Sequence, residues 1–134
     1  MEIVQESLPE ERCTVFTVTG QVELQEIMNT ISAWYQEGMT RNVLWDLRGA
    51  DLSCITSRQL QKMAAHVETF AHQARGGRTA MLMSGDEAFG LGQMYEVMTG
   101  LGAHPTEHRV FYSRREAFFW LTETPKAPPR APFD

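Results

Sequence analysis

Apolar and polar residues alternate along two segments near the start of the chain. The segment CTVFTVT, residues 13–19, is rich in β-branched side chains and alternates apolar residues with threonine, as a half-buried strand does. Residues 2–6 show a weaker version of this pattern, and the LPEER segment between the two has the composition of a turn. The pattern predicts an N-terminal β-hairpin.

Farther along, apolar residues recur at steps of three and four, the spacing of one face of a helix. The predicted helices cover about 24–37, 57–75, 86–99 and 114–121, and the strands between them cover 42–46, 78–83 and 108–112. The element order is therefore ββαβαβαβα. Strands joined through helices need crossover connections, so we predict an α/β fold with a mixed, mostly parallel sheet flanked by helices.

The stretch NVLWDLRGADLSCIT, residues 42–56, is where an apolar strand gives way to polar residues. Loops at the carboxyl ends of parallel strands are where such sheets usually meet ligands and partners. We therefore predict that a strand-helix loop over residues 46–57 forms the functional surface. The side chains assigned to it are Asp46, Arg48, Asp51, Ser53, Thr56 and Ser57.

Composition narrows the classes of partner. The chain has 134 residues, a formal charge of −5 and no apolar run long enough to cross a bilayer, so we expect neither nucleic-acid binding nor a transmembrane segment. The acidic N-terminus lacks the pattern of a secretory signal, which leads us to expect a cytoplasmic protein. We predict one domain over residues 1–122 and a flexible, proline-rich tail over residues 123–134.

Hydroxyl and acidic residues could also indicate an enzyme. Asp46 and Asp51 could form a carboxylate pair, and Ser53 or Cys54 could act as a nucleophile. A nucleophile needs a nearby base, and the four histidines lack the spacing of a catalytic or zinc motif. The two GLG segments, residues 90–92 and 100–102, fall inside a predicted helix and after one, whereas a nucleotide phosphate would require a glycine turn directly after a strand. We therefore predict no catalytic residue, no metal and no cofactor.

The same hydroxyl residues fit helix capping. Thr56, Ser84 and Ser113 each stand three residues before a Glu or Gln at the predicted start of a helix. Their side chains would accept a hydrogen bond from the first helical turn.

The chain contains eight methionines, and most of them fall on predicted core-facing positions. Thioether side chains adapt to irregular spaces, so a cavity between helices and sheet could hold an apolar molecule. Ordinary core packing explains the same pattern. The residues assigned to such a cavity are Met63, Met83, Met94, Tyr95 and Met98.

Three segments resemble the STAS domain superfamily, and in particular the small bacterial SpoIIAA-like proteins. They are VLWDLRGADLS at residues 43–53, AFGLGQMYEVM at 88–98 and VFYSRREAFFWL at 110–121. The resemblance extends over about residues 3–121. It implies a STAS-like fold, no enzyme activity, and a regulatory role of the anti-sigma factor antagonist type, with recognition through the strand-helix loop.

In the regulatory members of this superfamily, a serine in a DSSG-like motif at the start of the second helix is phosphorylated by a partner kinase. At those positions this chain has Cys54-Ile55-Thr56-Ser57, without the acidic residue and the glycine. The resemblance therefore leaves Thr56 and Ser57 as candidate phosphoacceptors.

We predict a regulatory module that docks a protein partner, with Arg48, Asp51 and Ser53 making the contacts and Asp46 and Thr56 holding the loop in shape. Because SpoIIAA-like proteins are grouped with CRAL-TRIO-type domains, a carrier of a lipid or small apolar ligand is the alternative. The sequence leaves monomer and homodimer open.

Overall fold

A computed structural model of the chain describes residues 1–70, 73, 77–101 and 106–123. Five strands form one sheet in the order β1-β2-β3-β4-β5, in which β1 and β2 are antiparallel and the other pairs are parallel. The predicted ββαβαβαβα order is confirmed. The strands are Glu2–Leu8 (β1), Cys13–Gln21 (β2), Asn42–Asp51 (β3), Arg78–Leu82 (β4) and Glu107–Phe111 (β5), and the helices are Leu24–Glu37 (α1), Ser57–Glu68 (α2), Asp86–Gly100 (α3) and Arg114–Thr122 (α4).

The sheet is buried on both faces because alternate side chains of its central strands are apolar on each side. On one face Phe16, Trp45 and Met81 belong to a core cluster that also contains residues of α1, α2 and α3. On the other face Val15, Leu44 and Ala80 pack with residues of α4. The helical layers are therefore unequal, with three helices covering one face and one covering the other.

Helix α4 is held to the sheet by polar contacts as well as by packing. The Asn42 side-chain amide donates to the carbonyl of Leu121 at 3.0 Å, and the Arg78 guanidinium donates to the carbonyl of Trp120 at 2.6 Å. The Arg78 guanidinium also lies 5.1 Å from the centre of the Trp120 ring. These contacts satisfy carbonyl groups in the last turn of α4, where the Trp120 carbonyl also accepts a longer hydrogen bond from the Glu123 N–H at 3.4 Å.

Two predicted boundaries differ from the structure by more than two residues. Strand β3 continues to Asp51, whereas the sequence predicted its end at Asp46. Helix α2 ends at Glu68, and Phe70, which we predicted to be helical, lies in a turn. The remainder of that predicted helix, residues 71–72 and 74–75, and the predicted proline-rich tail from residue 124 lie outside the described residues.

Of the three predicted caps, two are confirmed. Thr56 and Ser113 accept hydrogen bonds from the backbone of Gln59 and Glu116. The predicted cap at Ser84 is wrong, because Gly85, with a φ of 88°, occupies the cap position of α3 and has no side chain to accept a bond. Among the described residues, no helix is both long enough and apolar enough to cross a membrane.

Candidate functional site

A β-bulge shapes the carboxyl end of β3. Thr17 pairs with Asp46 and Thr19 with Gly49, so β3 uses one residue more than β2 over this interval. The pairing then resumes and reaches Asp51, whereas β4 stops pairing with β3 at Asp46. Residues 47–51 therefore extend beyond the centre of the sheet with a strand partner on one side only.

The bulge also changes which side chains face the three-helix layer. Trp45 and Leu47 pack against that layer, and strict alternation would continue with Gly49 and Asp51. Instead, Ala50 and Leu52 contact the same core. The extra residue thereby leaves the side chain of Asp51 exposed and keeps the apolar Leu52 against the core.

Asp46 and Arg48 form a two-pronged ion pair on the α4 side of β3. The Arg48 Nε and Nη2 atoms donate to the two carboxylate oxygens of Asp46 at 2.9 and 2.8 Å, and the Arg48 backbone N–H donates at 3.2 Å. These hydrogen bonds from Arg48 hold the pKa of Asp46 below its ordinary value. The Asp46 side chain is 10% exposed and that of Arg48 is 42% exposed, so the arginine remains accessible.

The loop itself is a short turn over residues 52–56. The Ile55 N–H donates to the Leu52 carbonyl at 3.0 Å, and the Ser53 N–H donates to the Asp51 carboxylate at 2.9 Å. Hydrogen bonding from the Ser53 side chain, and then from its backbone N–H, lowers the pKa of Asp51. Leu52 and Ile55 pack against the core, whereas Ser53 and Cys54 are exposed between them. The turn therefore exposes polar atoms to solvent, while two apolar side chains hold it against the core.

The start of α2 follows immediately. Thr56 forms a full capping box with Gln59: the Gln59 N–H donates to the Thr56 hydroxyl at 3.2 Å, and the Thr56 N–H donates to the Gln59 side chain at 3.0 Å. Ser57 is the first helical residue and is exposed. The two candidate phosphoacceptors thus differ, because only the Thr56 hydroxyl is used by the capping box.

The six predicted surface residues fall in one continuous segment, but they do not have equal access. Asp46 is buried within β3. The others are exposed, and they lie on the strand extension, the turn and the first residue of α2. What the sequence predicted as a loop over residues 46–57 is therefore a strand extension followed by a five-residue turn. We did not predict the anchoring by Leu52 and Ile55, although both apolar residues are visible in the sequence.

The two cysteine thiols lie in different environments. Burial raises the pKa of the Cys13 thiol to about 12, and this thiol lies on the α4 side of the sheet. Cys54 is exposed and accepts a hydrogen bond from the Gln21 side chain at 3.1 Å. Within the part of the chain that the structure describes, no three His, Cys, Asp or Glu side chains are grouped as metal ligands would be.

A cavity of about 120 Å³ lies between the three-helix layer and the sheet. Of the residues assigned to a cavity from the sequence, Met63, Met83 and Tyr95 line it. Met98 packs against the same core without lining the cavity, and Met94 is 39% exposed on the outer side of α3. Helical spacing alone could not place Met94, because α3 has apolar residues around most of its circumference.

No family model matches the chain, and no curated protein sequence matches it. A solved structure does: the chain is similar to the anti-sigma factor antagonist SpoIIAA in its unphosphorylated form, with a TM-score of 0.53 and 16% sequence identity. The match covers 92% of this chain and 100% of the SpoIIAA chain. At this level of identity the similarity concerns the fold, and it confirms the STAS-like fold that the sequence resemblance implied.

Proposed function

We propose that the chain is a non-enzymatic regulatory module that captures a protein partner through residues 46–57. The observation that carries this proposal is the anchored turn, in which Leu52 and Ile55 are packed on the core while Ser53 and Cys54 face solvent. A turn fixed at both ends presents its polar atoms with little further loss of conformational freedom on binding. Such preorganisation suits recognition of another protein.

The charges around the turn fit the same role. Arg48 is fixed by Asp46 yet remains 42% exposed, and Asp51 is exposed with its carboxylate oriented by the Ser53 N–H. One positive group at the bulge and one negative group beyond it are therefore held in defined directions. An interface that contains both signs of charge gains specificity from the arrangement of the charges more than from their net value.

The similarity to the anti-sigma factor antagonist SpoIIAA supports a regulatory role rather than a catalytic one. Under this proposal a partner kinase phosphorylates Ser57 rather than Thr56. The Ser57 hydroxyl is exposed at the first position of α2, where the helix dipole favours added negative charge. Modification of Thr56 would disturb the capping box.

Site-specific photo-crosslinking tests the docking proposal directly. A photoreactive amino acid replaces Ser53 at the turn or, as a control, Glu10, which is exposed in the short connection between β1 and β2. We expect a discrete crosslinked protein from position 53 that is absent from position 10 and is competed by unlabelled wild-type chain. Equal crosslinking from both positions would contradict docking through residues 46–57.

Mass spectrometry tests the modification separately. Protein purified from cells that contain the partner should carry a phosphate that survives denaturation and maps to Ser57, and Ser57→Ala should remove it. A phosphate that maps to Thr56 and persists in Ser57→Ala would contradict the choice of acceptor but not the docking proposal.

A further inference from the structure

The cavity beneath α1, α2 and α3 has the size of a small ring. Its volume is about 120 Å³. For comparison, an engineered apolar cavity of about 150 Å³ in another protein binds benzene. A long acyl chain has several times as many carbon atoms as benzene, so most of it would extend outside a cavity of this volume. The volume therefore disfavours the lipid alternative and favours a ligand of about six to eight non-hydrogen atoms.

Aromatic side chains supply much of the wall. Phe16 and Trp45 stack on each other from neighbouring strands, with their ring centres 4.4 Å apart, and both line the cavity. Trp34 and Tyr35 of α1 form another part of the wall, with ring centres 4.8 Å apart in an edge-to-face arrangement. Flat faces and ring edges at these positions suit contact with a further aromatic ring.

The wall also contains two phenolic hydroxyl groups. Tyr95 is buried and Tyr35 is half-buried, and both line the cavity. Neither hydroxyl takes part in a hydrogen bond within residues 1–70, 73, 77–101 and 106–123. Neither oxygen is a fully buried atom without a partner, so each remains accessible and can accept or donate a hydrogen bond to a partner other than the protein. A ligand with one polar group on its ring would supply that partner.

The cavity is accessible to small molecules. Tyr35 and Leu60, which form parts of its wall on α1 and α2, are only half-buried, and the cavity is partly open to solvent. A wall made mostly of apolar side chains offers few hydrogen bonds to water, which makes displacement of water by a ring favourable.

We propose that this cavity binds a single-ring aromatic molecule that carries one hydroxyl group, that is, a ligand of the phenol class. The ring contacts the aromatic and methionine side chains of the wall, and its hydroxyl forms a hydrogen bond with Tyr95. This binding site is distinct from the exposed docking residues, and the proposal does not rest on the proposed function.

The methionines of the chain provide a direct test. Full-length protein with ¹³C-labelled methionine methyl groups is titrated with phenol and observed by NMR. We expect saturable shifts for the three methionines that line the cavity, Met63, Met81 and Met83. Met39 and Met94, each 39% exposed, serve as internal controls and should not shift. The absence of saturable shifts in the wall methionines, or equal shifts in the two controls, would overturn the proposal.

Two pairs of measurements identify the ligand class. Tyr95→Phe removes one oxygen atom and should weaken phenol binding about fivefold, which is the effect of one ordinary hydrogen bond, while toluene binding stays unchanged. Equal loss for both ligands, or none for phenol, would contradict the role of the hydroxyl. Decanoate should not saturate the same methyl shifts, and if it bound more tightly than phenol the ligand class would be wrong.

A filling variant tests the location. Val67 lines the cavity on α2, and Val67→Phe should abolish the phenol-induced shifts. Val97→Phe places the same larger side chain on the outer surface of α3, where Val97 is 61% exposed, and should leave binding intact. Phenol binding that persists in a folded Val67→Phe protein would overturn the assignment. If that variant fails to fold, Tyr95→Phe provides the test.

Discussion

Asp46 is the most buried of the six residues assigned to the candidate site. Its carboxylate is almost fully buried at the end of the regular part of β3, and both oxygens accept hydrogen bonds from Arg48. A buried carboxylate that lost this partner would be left with an uncompensated charge. Arg48 therefore stabilises the buried carboxylate of Asp46 and also presents an accessible side chain. A substitution of Arg48 alone would change both stability and the exposed surface, so its effect on binding could not be separated from its effect on folding.

The pH dependence of stability reports on this ion pair. Hydrogen bonds from Arg48 hold the folded-state pKa of Asp46 below the ordinary value of 3.8. The stabilisation is therefore present above the unfolded-state pKa and is lost as the pH falls through the lower, folded-state pKa. We expect Asp46→Asn to lose less stability than wild type between about pH 6 and about pH 3, as measured by urea denaturation. An equal loss in both proteins would contradict this role.

Thr56 is expected to contribute to stability through its capping box. Thr56→Ala removes the acceptor for the Gln59 N–H and should lower the free energy of unfolding by about 1 kcal/mol. Ser57→Ala is the matched control, one position later on the exposed surface, and should change it by no more than about 0.5 kcal/mol. Urea denaturation of both variants measures the difference. A larger loss in Ser57→Ala would contradict the assignment of the cap.

At the scale of elements, α3 approaches β5 closely because a glycine lies between them. A Cβ atom at Gly92 would come within 2.5 Å of a Val110 side-chain carbon, whereas a Cβ at Gly90 would have no neighbour within 4 Å. The Glu96 side chain, one turn farther along α3, accepts a hydrogen bond from the Val110 N–H. This contact covers the free edge of β5 and limits pairing with another strand.

The two glycines offer a matched pair of substitutions. Gly92→Ala should force α3 away from β5 and lower the free energy of unfolding by about 1–3 kcal/mol. Gly90→Ala places a methyl group in open space within a helix and should raise it by about 0.5–1 kcal/mol. Thermal or urea unfolding of the two variants checks the signs. If Gly90→Ala destabilised the protein as much as Gly92→Ala, the predicted gain in helix propensity at Gly90 would be contradicted.

The order and type of the elements could be predicted because alternation in strands and three-to-four spacing in helices are local properties. The end of β3 could not, because the bulge near Leu47 and Arg48 interrupts the alternation and makes Gly49 and Asp51 resemble a loop. The start of α3 at Asp86 was predicted correctly, but its cap residue was not. Gly85 intervenes between Ser84 and the helix and takes the cap position, and its positive φ is not visible in sequence.

The position of the polar segment at the end of the sheet could be predicted from sequence, whereas the lining of the cavity could be predicted only in part. Polar residues that follow a buried strand mark a sheet end whatever the packing, so residues 46–57 could be identified. The cavity depends on how three helices pack over the sheet. Aromatic residues such as Trp34 and Tyr35 form its wall, and the helical pattern showed only that they face a core.

For the whole molecule, the asymmetry of the two helical layers separates the two proposed sites. The cavity lies between the sheet and the three-helix layer, whereas Asp46 and Arg48 face the side of α4. Leu52 and Ile55 connect them, because these anchors of the exposed turn also line the cavity. A bound ring would therefore contact the underside of the docking turn.

The measurement that tests the central claim most directly is the affinity of the crosslinked partner for two charge variants. Ser53→Arg adds a positive charge at the exposed turn, and Glu10→Arg replaces a negative charge by a positive one in the connection between β1 and β2, which is the larger change in charge. By isothermal titration calorimetry, we expect Ser53→Arg to weaken binding about tenfold or more while Glu10→Arg binds as wild type, with both melting temperatures unchanged. Equal affinities for the two folded variants would contradict recognition through residues 46–57.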